Sequence, residues 1–468
     1  MKQKQCKKVQ EVNQVKIEFT NKSITAWGGM ACQIGKYLEV IDFRGWVENH
    51  FPITETSPFA KGIYEKALGQ FLTVLVGGSR FGHLSWWGHG IEAVSKMFDV
   101  AWLPCSASTL TRFWGKIKTQ GMAEKMGDAG RQLAKTLWEW ESIGEDNLNF
   151  DSSVLTRYGD QPGAKKGYNP KKHGRNSHHP ILAFLGSGYI VNLWNRSGNV
   201  SSAHRITEFF DATVASLGSG FRIKRILCDA GFFISRFMAH LEAQKHLYII
   251  SAPLSTSSQK RIYQIQDWRR LCWGIEIAEF EMVCGEGPYR DLRRFVVVRQ
   301  DTGRKPKAAG KQLSLFKELD DCKKYRYSFM VTNDRGLSAE EVWSEYRTRA
   351  NDENIFKDLK EGYGFSAFSL ANFWATEAVM VMNTLVFHNL MHYLNRNILN
   401  PKQPQKQLKT LRSQHFILPA LLGKSARTWI LRLGVQCKKQ RGKIRHLLER
   451  IIKIPHRLNC NAVALGGS

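Results

Sequence analysis

The sequence lacks any long apolar run. No stretch of about 18 apolar residues occurs in the 468 residues, and the best candidate, 378–394, is interrupted by Asn and His. The basic N-terminus, MKQKQCKKVQEVNQ, lacks the apolar segment of a secretory signal. These absences argue against a membrane-spanning or secreted protein.

Paired cysteines and acidic residues are also scarce. The nine cysteines are odd in number and form no Cys-x-x-Cys pair, so neither a disulfide framework nor a zinc site is predicted, and we expect reduced thiols in the cytoplasm. Only 41 Asp and Glu face 68 Lys and Arg, a net charge of +27. An excess of this size indicates a polyanionic partner, either nucleic acid or an anionic membrane surface, and the missing apolar runs favour nucleic acid.

Helical patterning dominates residues 62–121. GHGIEAVSKMF predicts a short helix, and SASTLTRFW predicts a second helix that Ser or Thr opens and that carries Arg112. The turn between them falls at about 100–105. The pair predicts either a DNA-binding helix-turn-helix or an ordinary helical hairpin.

The middle third predicts an α/β arrangement. NLNFDSSVLT reads as a strand in which Asp151 is the only charge, PILAFLGSGYIVNLW as a hairpin, and FRIKRILCD as a strand that ends in Asp229. Helices at about 203–217 and 232–245 and a strand at HLYIIS complete the order. Carboxylates at strand ends are common in sites of α/β folds, although a single Asp there is often a turn or cap residue.

The last two fifths of the chain predict a β-rich insertion and a basic end. GIEIAEFEMV, RRFVVVR and RYSFMVTN are strand candidates between 254 and 335, and helical patterns return from 336. From Pro401 onward, fifteen Lys and Arg face Glu449 alone. This segment predicts helices with one apolar face and one face that meets phosphates, or a solvated basic tail.

The sharpest pattern lies in EYRTRANDENIFKDLKEGYGF. At about 100° per residue, one helical face would carry a set of functional side chains at roughly 0°, 300°, 340° and 320°: Tyr346, Arg349, Glu353 and Lys360. Such a face suits a metal-binding carboxylate flanked by groups that grip phosphates. Three other acids, Asp352, Asp358 and Glu361, fall off this face and are expected to be solvated.

Phosphodiester cleavage needs more than one carboxylate. Two hard divalent cations about 4 Å apart can activate the attacking oxygen and stabilise the leaving oxygen, and they need about three carboxylates from different elements. Asp151, Asp229 and Glu353 are the candidates.

These motifs resemble a known family. Tyr-x2-Arg-x3-Glu-x6-Lys is similar to the signature of the insertion-sequence-four-like superfamily of bacterial DDE transposases, and NFDSS and RILCDAGF place the two Asp residues as that superfamily does. GNVSSAHRITEFF, SASTLTRFW, Ala371-Asn372 and Thr410-Leu411-Arg412 resemble the insertion-sequence family thirteen-eighty. The resemblance extends from about residue 60 to about residue 448.

The resemblance implies a ribonuclease-H-like core interrupted by a β-rich insertion, and a site for Mg²⁺, with Mn²⁺ as a substitute. Asp151, Asp229 and Glu353 would be the catalytic and metal-binding triad. Tyr346, Arg349 and Lys360 would contact DNA, and Trp268 or Trp273 would stack on a flipped base or simply belong to the core. Relatives form hairpin ends, so the resemblance implies a hairpin step as an option.

The implied organisation has five parts: a DNA-binding helical region at 1–140, the first part of the core at 141–253, the insertion at 254–335, the Glu-bearing helix and rest of the core at 336–400, and a basic helical region at 401–468. We expect a cytoplasmic enzyme that binds transposon ends and target DNA, as a homodimer in the synaptic complex. The alternatives are a domesticated DNA-binding protein without catalysis and a nuclease of the same fold without strand transfer.

Overall fold

A computed structural model describes residues 11–12, 15–57, 59–87, 91–101, 103, 106–170, 172–305, 307–316, 323–401 and 403–458. Its largest element is a nine-stranded mixed sheet. Within the described ranges, no helix is long and apolar enough to cross a membrane.

Helices form most of the region before the sheet. Three short strands, β1 (Glu11–Val12), β2 (Val15–Lys16) and β3 (Ser23–Thr25), precede α1 (Gly28–Val40), α2 (Phe43–His50), α3 (Ile63–Leu75), α4 (Ile91–Met97), α5 (Ala107–Trp114) and α6 (Gln120–Trp140). Helix α6 begins where the Thr119 side chain accepts a hydrogen bond from Met122 N at 3.4 Å. The two helices predicted around 100–105 are present as α4 and α5, but positions 102, 104 and 105 of their connection lie outside the described residues.

The central sheet follows the predicted order of elements. Its first strands are β4 (Glu145–Ser152), β8 (Ile181–Leu185), β9 (Ile190–Trp194), β10 (Arg222–Cys228) and β11 (Tyr248–Ser251), while β5 (Leu155–Thr156), β6 (Lys165–Lys166) and β7 (Asn176–His178) form a small separate sheet. Strand β10 is parallel to both β4 and β11, and β8 is antiparallel to β4 and β9. Helices α7 (Ile206–Leu217) and α8 (Ser235–Ala243) lie in the connections.

The two faces of β4 pack against different helices. Phe150 points to one face, where its ring lies 5.8 Å from Phe209 and 6.1 Å from Phe210 of α7. Because successive side chains of a strand alternate, Asn149 and its cross-strand partner Phe184 share the opposite face. Phe184 packs there 5.3 Å from Phe356. The polar side chains of β4 therefore face the helix that carries Glu353.

The β-rich segment extends the central sheet. After α9 (Thr256–Tyr263) come β12 (Arg269–Cys272), β13 (Ile275–Cys284), β14 (Asp291–Asp301) and β15 (Tyr325–Thr332), and the full strand order is β12-β13-β14-β15-β11-β10-β4-β8-β9. Strand β15 pairs antiparallel with β11, as in Ile250 opposite Val331. The predicted β-rich segment therefore continues the central sheet, because the edge of β11 offers backbone groups that β15 satisfies.

Helices cover the sheet after β15. They are α10 (Ala339–Arg347), α11 (Ala350–Glu361) and a continuous helical rod made of α12 (Phe373–Val381), a π segment (Met382–His388), α13 (Asn389–Leu394) and a second π segment (Asn395–Leu399). The rod packs closely on α6 at Gly130, where an added Cβ would lie 2.9 Å from Leu385 Cβ. A larger side chain at Gly130 would therefore push the rod away from α6.

The basic C-terminal region is only partly helical, which corrects the sequence prediction. It holds α14 (Leu408–Leu411), a π segment (Arg412–Phe416), β16 (Ala420–Ser425), β17 (Thr428–Leu433) and α15 (Lys438–Ile452). Strands β16 and β17 form a hairpin that pairs with β3, with Ala420 opposite Thr25. The alternation in ALLGKS, which buries Ala420 and Leu422, has the period of a strand rather than of a helix.

Candidate active site

The candidate site lies where β4 and β10 end side by side. The two strands are parallel, and Cys228 of β10 is in register with Phe150 of β4. Asp151 and Asp229 each come next in the chain, so they lie at the same edge of the sheet. Asp229 also caps the short turn Ala230–Phe232, where its Oδ1 accepts a hydrogen bond from Gly231 N at 2.8 Å.

The predicted functional face is divided between two helices. Tyr346 belongs to α10, Arg349 precedes α11, and Glu353 lies in α11. The break is a tightened turn in which Thr348 N bonds to Glu345 O at 3.1 Å and the Thr348 hydroxyl bonds back to the same oxygen at 2.7 Å. Such back-bonding by Thr bends helices, so the assumption of one uninterrupted helix is corrected.

Arg349 still reaches the site. Its Nη2 lies 2.9 Å from Asp151 Oδ2, and the two side chains are only 12% and 16% exposed. The N–H does not point well at the oxygen, so the pair is a close charge contact rather than an aligned hydrogen bond. The carboxylate of Asp151 therefore has a positively charged group beside it.

A buried fourth carboxylate lies beside this pair. The side chain of Asp352 is 3% exposed, its Oδ1 accepts a hydrogen bond from Asn149 Nδ2 at 3.1 Å, and its Oδ2 lies 3.9 Å from Arg349 Nε. The prediction that Asp352 is solvated is therefore wrong. Asp358 is also partly buried, and it accepts hydrogen bonds from Leu408 N at 3.0 and 3.2 Å.

Asn147, Asn149 and Asp352 are the site residues that sequence reasoning missed. Asn147 Nδ2 bonds to Glu345 Oε1 at 2.5 Å, and Asn149 bonds to Asp352, so every second residue of β4 contacts the two helices. The signal was present, because Asn147, Asn149 and Asp151 repeat at the period of a strand. Polar residues on that period in a central strand indicate a buried polar interface.

The carboxylates influence one another electrostatically. Burial raises the pKa of Asp151 to about 6; the charges of Asp229 and Glu353 add to the rise, and Arg349 opposes it. Burial likewise raises the pKa of Asp352 to about 7. Glu353 is exposed on α11, yet it is close enough to act on Asp151. The other two predicted triad members, Asp229 and Glu353, therefore lie within electrostatic reach of Asp151.

Tyr346 and Lys360 border this group. Tyr346 is half-buried against a cluster that includes Leu227 and Ile249, and burial raises the pKa of its phenol. Lys360 Nζ donates a hydrogen bond to Ser153 Oγ at 2.5 Å, just beyond the end of β4. Tyr346 thus precedes Arg349 in the chain, and Lys360 follows it.

The other predicted DNA-binding residues lie outside this group. Trp268 is half-buried, with Arg299 4.1 Å from its ring centroid, whereas Trp273 is 59% exposed between Arg270 and Arg304. Arg112 is exposed on α5. Within the described part of the chain, no contact joins these three residues to the carboxylates.

The donor set matches a hard divalent cation in chemistry. Carboxylate oxygens are the ligands that Mg²⁺ and Mn²⁺ prefer. The guanidinium of Arg349 is the positive charge that lies beside Asp151 in this structure. Among the described residues, however, no group of three or more His, Cys, Asp or Glu is arranged closely enough to hold a metal ion.

The fold and site define a mixed α/β protein with a carboxylate-rich candidate active site at neighbouring strand ends. The family model described as "Transposase DDE domain" matches residues 144–390, more than half of the chain. The chain therefore belongs to the transposase DDE domain family.

The chain has only a weak similarity to a solved structure and no match among curated proteins. Among solved structures, the chain is similar to a cryo-EM structure of a piggyBac transposase synaptic complex with hairpin DNA, at 10% identity and a TM-score of 0.38, over 82% of this chain and 78% of that chain. That likeness is too weak to define the fold. No curated protein matches the chain.

Proposed function

We propose that the protein is a bacterial insertion-sequence transposase that cleaves the ends of its element and joins them to target DNA. The observation that supports the proposal is the position of Asp151 and Asp229 at the ends of two neighbouring parallel strands, in the segment matched by the transposase family model, with Glu353 in the same segment. The strand order β9-β8-β4-β10-β11, with helices in the connections after β9 and β10, supports a ribonuclease-H-like core. The Tyr-Arg-Glu-Lys spacing supports the insertion-sequence-four-like superfamily and its family thirteen-eighty.

Asp151, Asp229 and Glu353 are the proposed catalytic triad and would hold Mg²⁺ or Mn²⁺. Such cations, when bound, activate a nucleophile and stabilise the charge of the leaving oxygen during phosphodiester cleavage. Asp151 must be ionised to serve as a ligand, and its raised pKa means that positive charge is needed beside it. In the observed arrangement Arg349 supplies that charge.

The cationic side chains would position DNA. Arg349 can donate two N–H groups to one phosphate, and Lys360 offers a compact charge near the other end of α11. Tyr346, half-buried against the cluster that includes Leu227 and Ile249, would set the depth of the bound strand. Among the insertion residues, the exposed Trp273 is better placed than Trp268 to stack on a base, and any hairpin step would use that surface.

The remaining positive charge would contact DNA away from the reacting phosphate. The exposed face of α15 carries Lys438, Lys439, Lys443 and Arg445, and α5 carries Arg112. Both surfaces can release condensed counterions when they bind a duplex. We propose a homodimer in the synaptic complex and action in the bacterial cytoplasm, where the nucleoid supplies the target.

Strand joining separates a transposase from a nuclease of the same fold. Purified protein would be given a pre-cut DNA end, taken from the sequence that borders the coding region, together with a supercoiled target plasmid and Mg²⁺. The proposal predicts covalent joining of the end to the plasmid, and no joining with Asp151→Asn, Asp229→Asn or Glu353→Gln. In a parallel reaction with an uncut end, cleavage without any joining of the pre-cut end would indicate a nuclease, and DNA binding without either reaction would indicate a domesticated binding protein.

A further inference from the structure

Two buried polar atoms face each other without a partner beside the candidate triad. Arg349 Nε and Asp352 Oδ2 are 3.9 Å apart, and within the described residues neither has a hydrogen-bond partner. A buried N–H or carboxylate oxygen left unpaired costs about 1–3 kcal/mol, and more when it is charged. A small rotation of the guanidinium toward Asp352 would satisfy both atoms at once.

The guanidinium thus has two acceptors within reach. One is Asp151, at 2.9 Å from Nη2, and the other is Asp352, at 3.9 Å from Nε. Asn149 holds the second acceptor in place, because its amide donates to Oδ1 at 3.1 Å and leaves Oδ2 directed at the arginine. Asp352 is too buried to meet solvent or DNA, since its side chain is only 3% exposed.

We propose that Asp352 is a positioning residue that receives Arg349 when Asp151 ligates a divalent cation. Arg349 neutralises Asp151 in the metal-free protein and exchanges it for Asp352 in the loaded protein. The exchange frees Asp151 without leaving a buried guanidinium unpaired. It keeps the outer N–H groups of Arg349 beside the site, where a phosphate can accept them. This inference rests on the proposed metal-binding role of Asp151.

The exchange is tested by metal binding rather than by turnover. Mn²⁺ is titrated into purified full-length protein, and free Mn²⁺ is followed by electron paramagnetic resonance. Wild type should bind Mn²⁺, and Asp151→Asn should abolish the site. Asp352→Asn should weaken binding about tenfold, the equivalent of one hydrogen bond to a charged group. Glu361→Gln, which removes an exposed carboxylate from the same helix, is the matched control and should leave binding unchanged.

A double-mutant cycle separates exchange from a general electrostatic effect. Arg349→Ala should tighten Mn²⁺ binding, because the competing cation is gone. In that background Asp352→Asn should change the affinity by less than about threefold, since the residue acts through the arginine. An equal, tenfold weakening in both backgrounds would mean that Asp352 acts only through its charge, and would overturn the exchange. Thermal melts of each variant check folding, and Asp352→Ser serves as the second variant if Asp352→Asn does not fold.

The outcomes also distinguish this inference from the proposed function. Protein that binds no Mn²⁺, or whose binding survives Asp151→Asn, contradicts the proposed metal site and the exchange together. Binding that depends on Asp151 but is the same in wild type, Asp352→Asn and Asp352→Ser overturns the exchange alone. Binding that weakens with Asp352→Asn only when Arg349 is present supports it.

Discussion

Lys360, which donates a hydrogen bond to Ser153, has either a structural role or a role in DNA binding, and a pair of variants distinguishes the two roles. Lys360 Nζ donates to Ser153 Oγ at 2.5 Å, which ties α11 to the chain just after β4. The stem of the lysine also lies near Phe356, with Nζ 5.6 Å from the ring centroid. Lys360 is therefore either a structural tether or, as we propose, a side chain that releases Ser153 to contact DNA.

The magnitudes of the two roles differ. A hydrogen bond to a charged group contributes about 1.5–3 kcal/mol, and partial exposure of Lys360 puts this bond toward the lower end. Lys360→Met keeps the stem on Phe356 and removes the charge, while Ser153→Ala removes only the acceptor. Both variants should lower the free energy of unfolding by about 1–2 kcal/mol. If Lys360 positions the scissile phosphate, Lys360→Met should in addition slow cleavage by about a hundredfold, because a misplacement of about 1 Å has that effect.

The assay is single-turnover cleavage at saturating DNA, with a urea melt of each variant. We expect Ser153→Ala to cleave within about threefold of wild type and Lys360→Met to be far slower, at similar stability. Equal cleavage rates for Lys360→Met and wild type would refute the DNA contact. An equal decrease of rate in the two variants would show that the tether alone matters.

Three further predictions concern other parts of the molecule. Burial raises the pKa of Glu377 to about 8, so the folded state holds a proton that the unfolded state has released, and the free energy of unfolding should fall as pH rises from about 5 to 8. Glu377→Gln should flatten that fall in urea melts, and an unchanged pH slope would contradict the assignment. Trp268→Ala should lower the melting temperature and Trp273→Ala should not, whereas only Trp273→Ala should weaken binding to single-stranded DNA; the reverse pattern would exchange their roles. Replacing four exposed cations of α15 by Gln should reduce the slope of log affinity against log salt by about 0.9 for each phosphate that is no longer neutralised, and an unchanged slope would exclude α15 from the DNA interface: Lys438, Lys439, Lys443 and Arg445.

Neutralising α15 is preferable to deleting the C-terminal region. Strand β16 pairs with β3, and Leu458 N donates to Ile41 O at 2.9 Å, so the region is built into the N-terminal helices. A truncation at Pro401 would expose the apolar surface that α1 shares with it. Any weaker DNA binding would then report unfolding rather than the removal of charge.

The strand and helix order of the central sheet could be predicted because the period of the sequence changes where the elements change. The apolar alternation around Phe150 and the runs ILAFL and RILC are strand patterns that turn residues separate. The position of Asp229 after such a run was enough to predict that it lies at the end of a strand.

Long-range pairing and helix breaks could not be predicted in the same way. Strand β16 (Ala420–Ser425) pairs with β3, almost 400 residues away, and the local sequence of β16 does not indicate this partner. The break at Thr348 depends on a hydroxyl that bonds back to the chain, and a 100° wheel cannot show it. Asp352 is buried where α11 packs on β4 and accepts a hydrogen bond from Asn149, a contact that the sequence of the helix alone cannot show.

Cleavage by an Asp229 variant tests the central claim most directly. Duplex DNA that borders the coding region is incubated with wild-type protein or with Asp229→Asn, in Mg²⁺ or in EDTA, and binding is measured in parallel. We expect wild type to nick the DNA in Mg²⁺ but not in EDTA, and Asp229→Asn to bind the DNA without nicking it. Nicking by Asp229→Asn at the wild-type rate, or wild-type nicking that persists in EDTA, would contradict a metal-dependent site built on these strand ends.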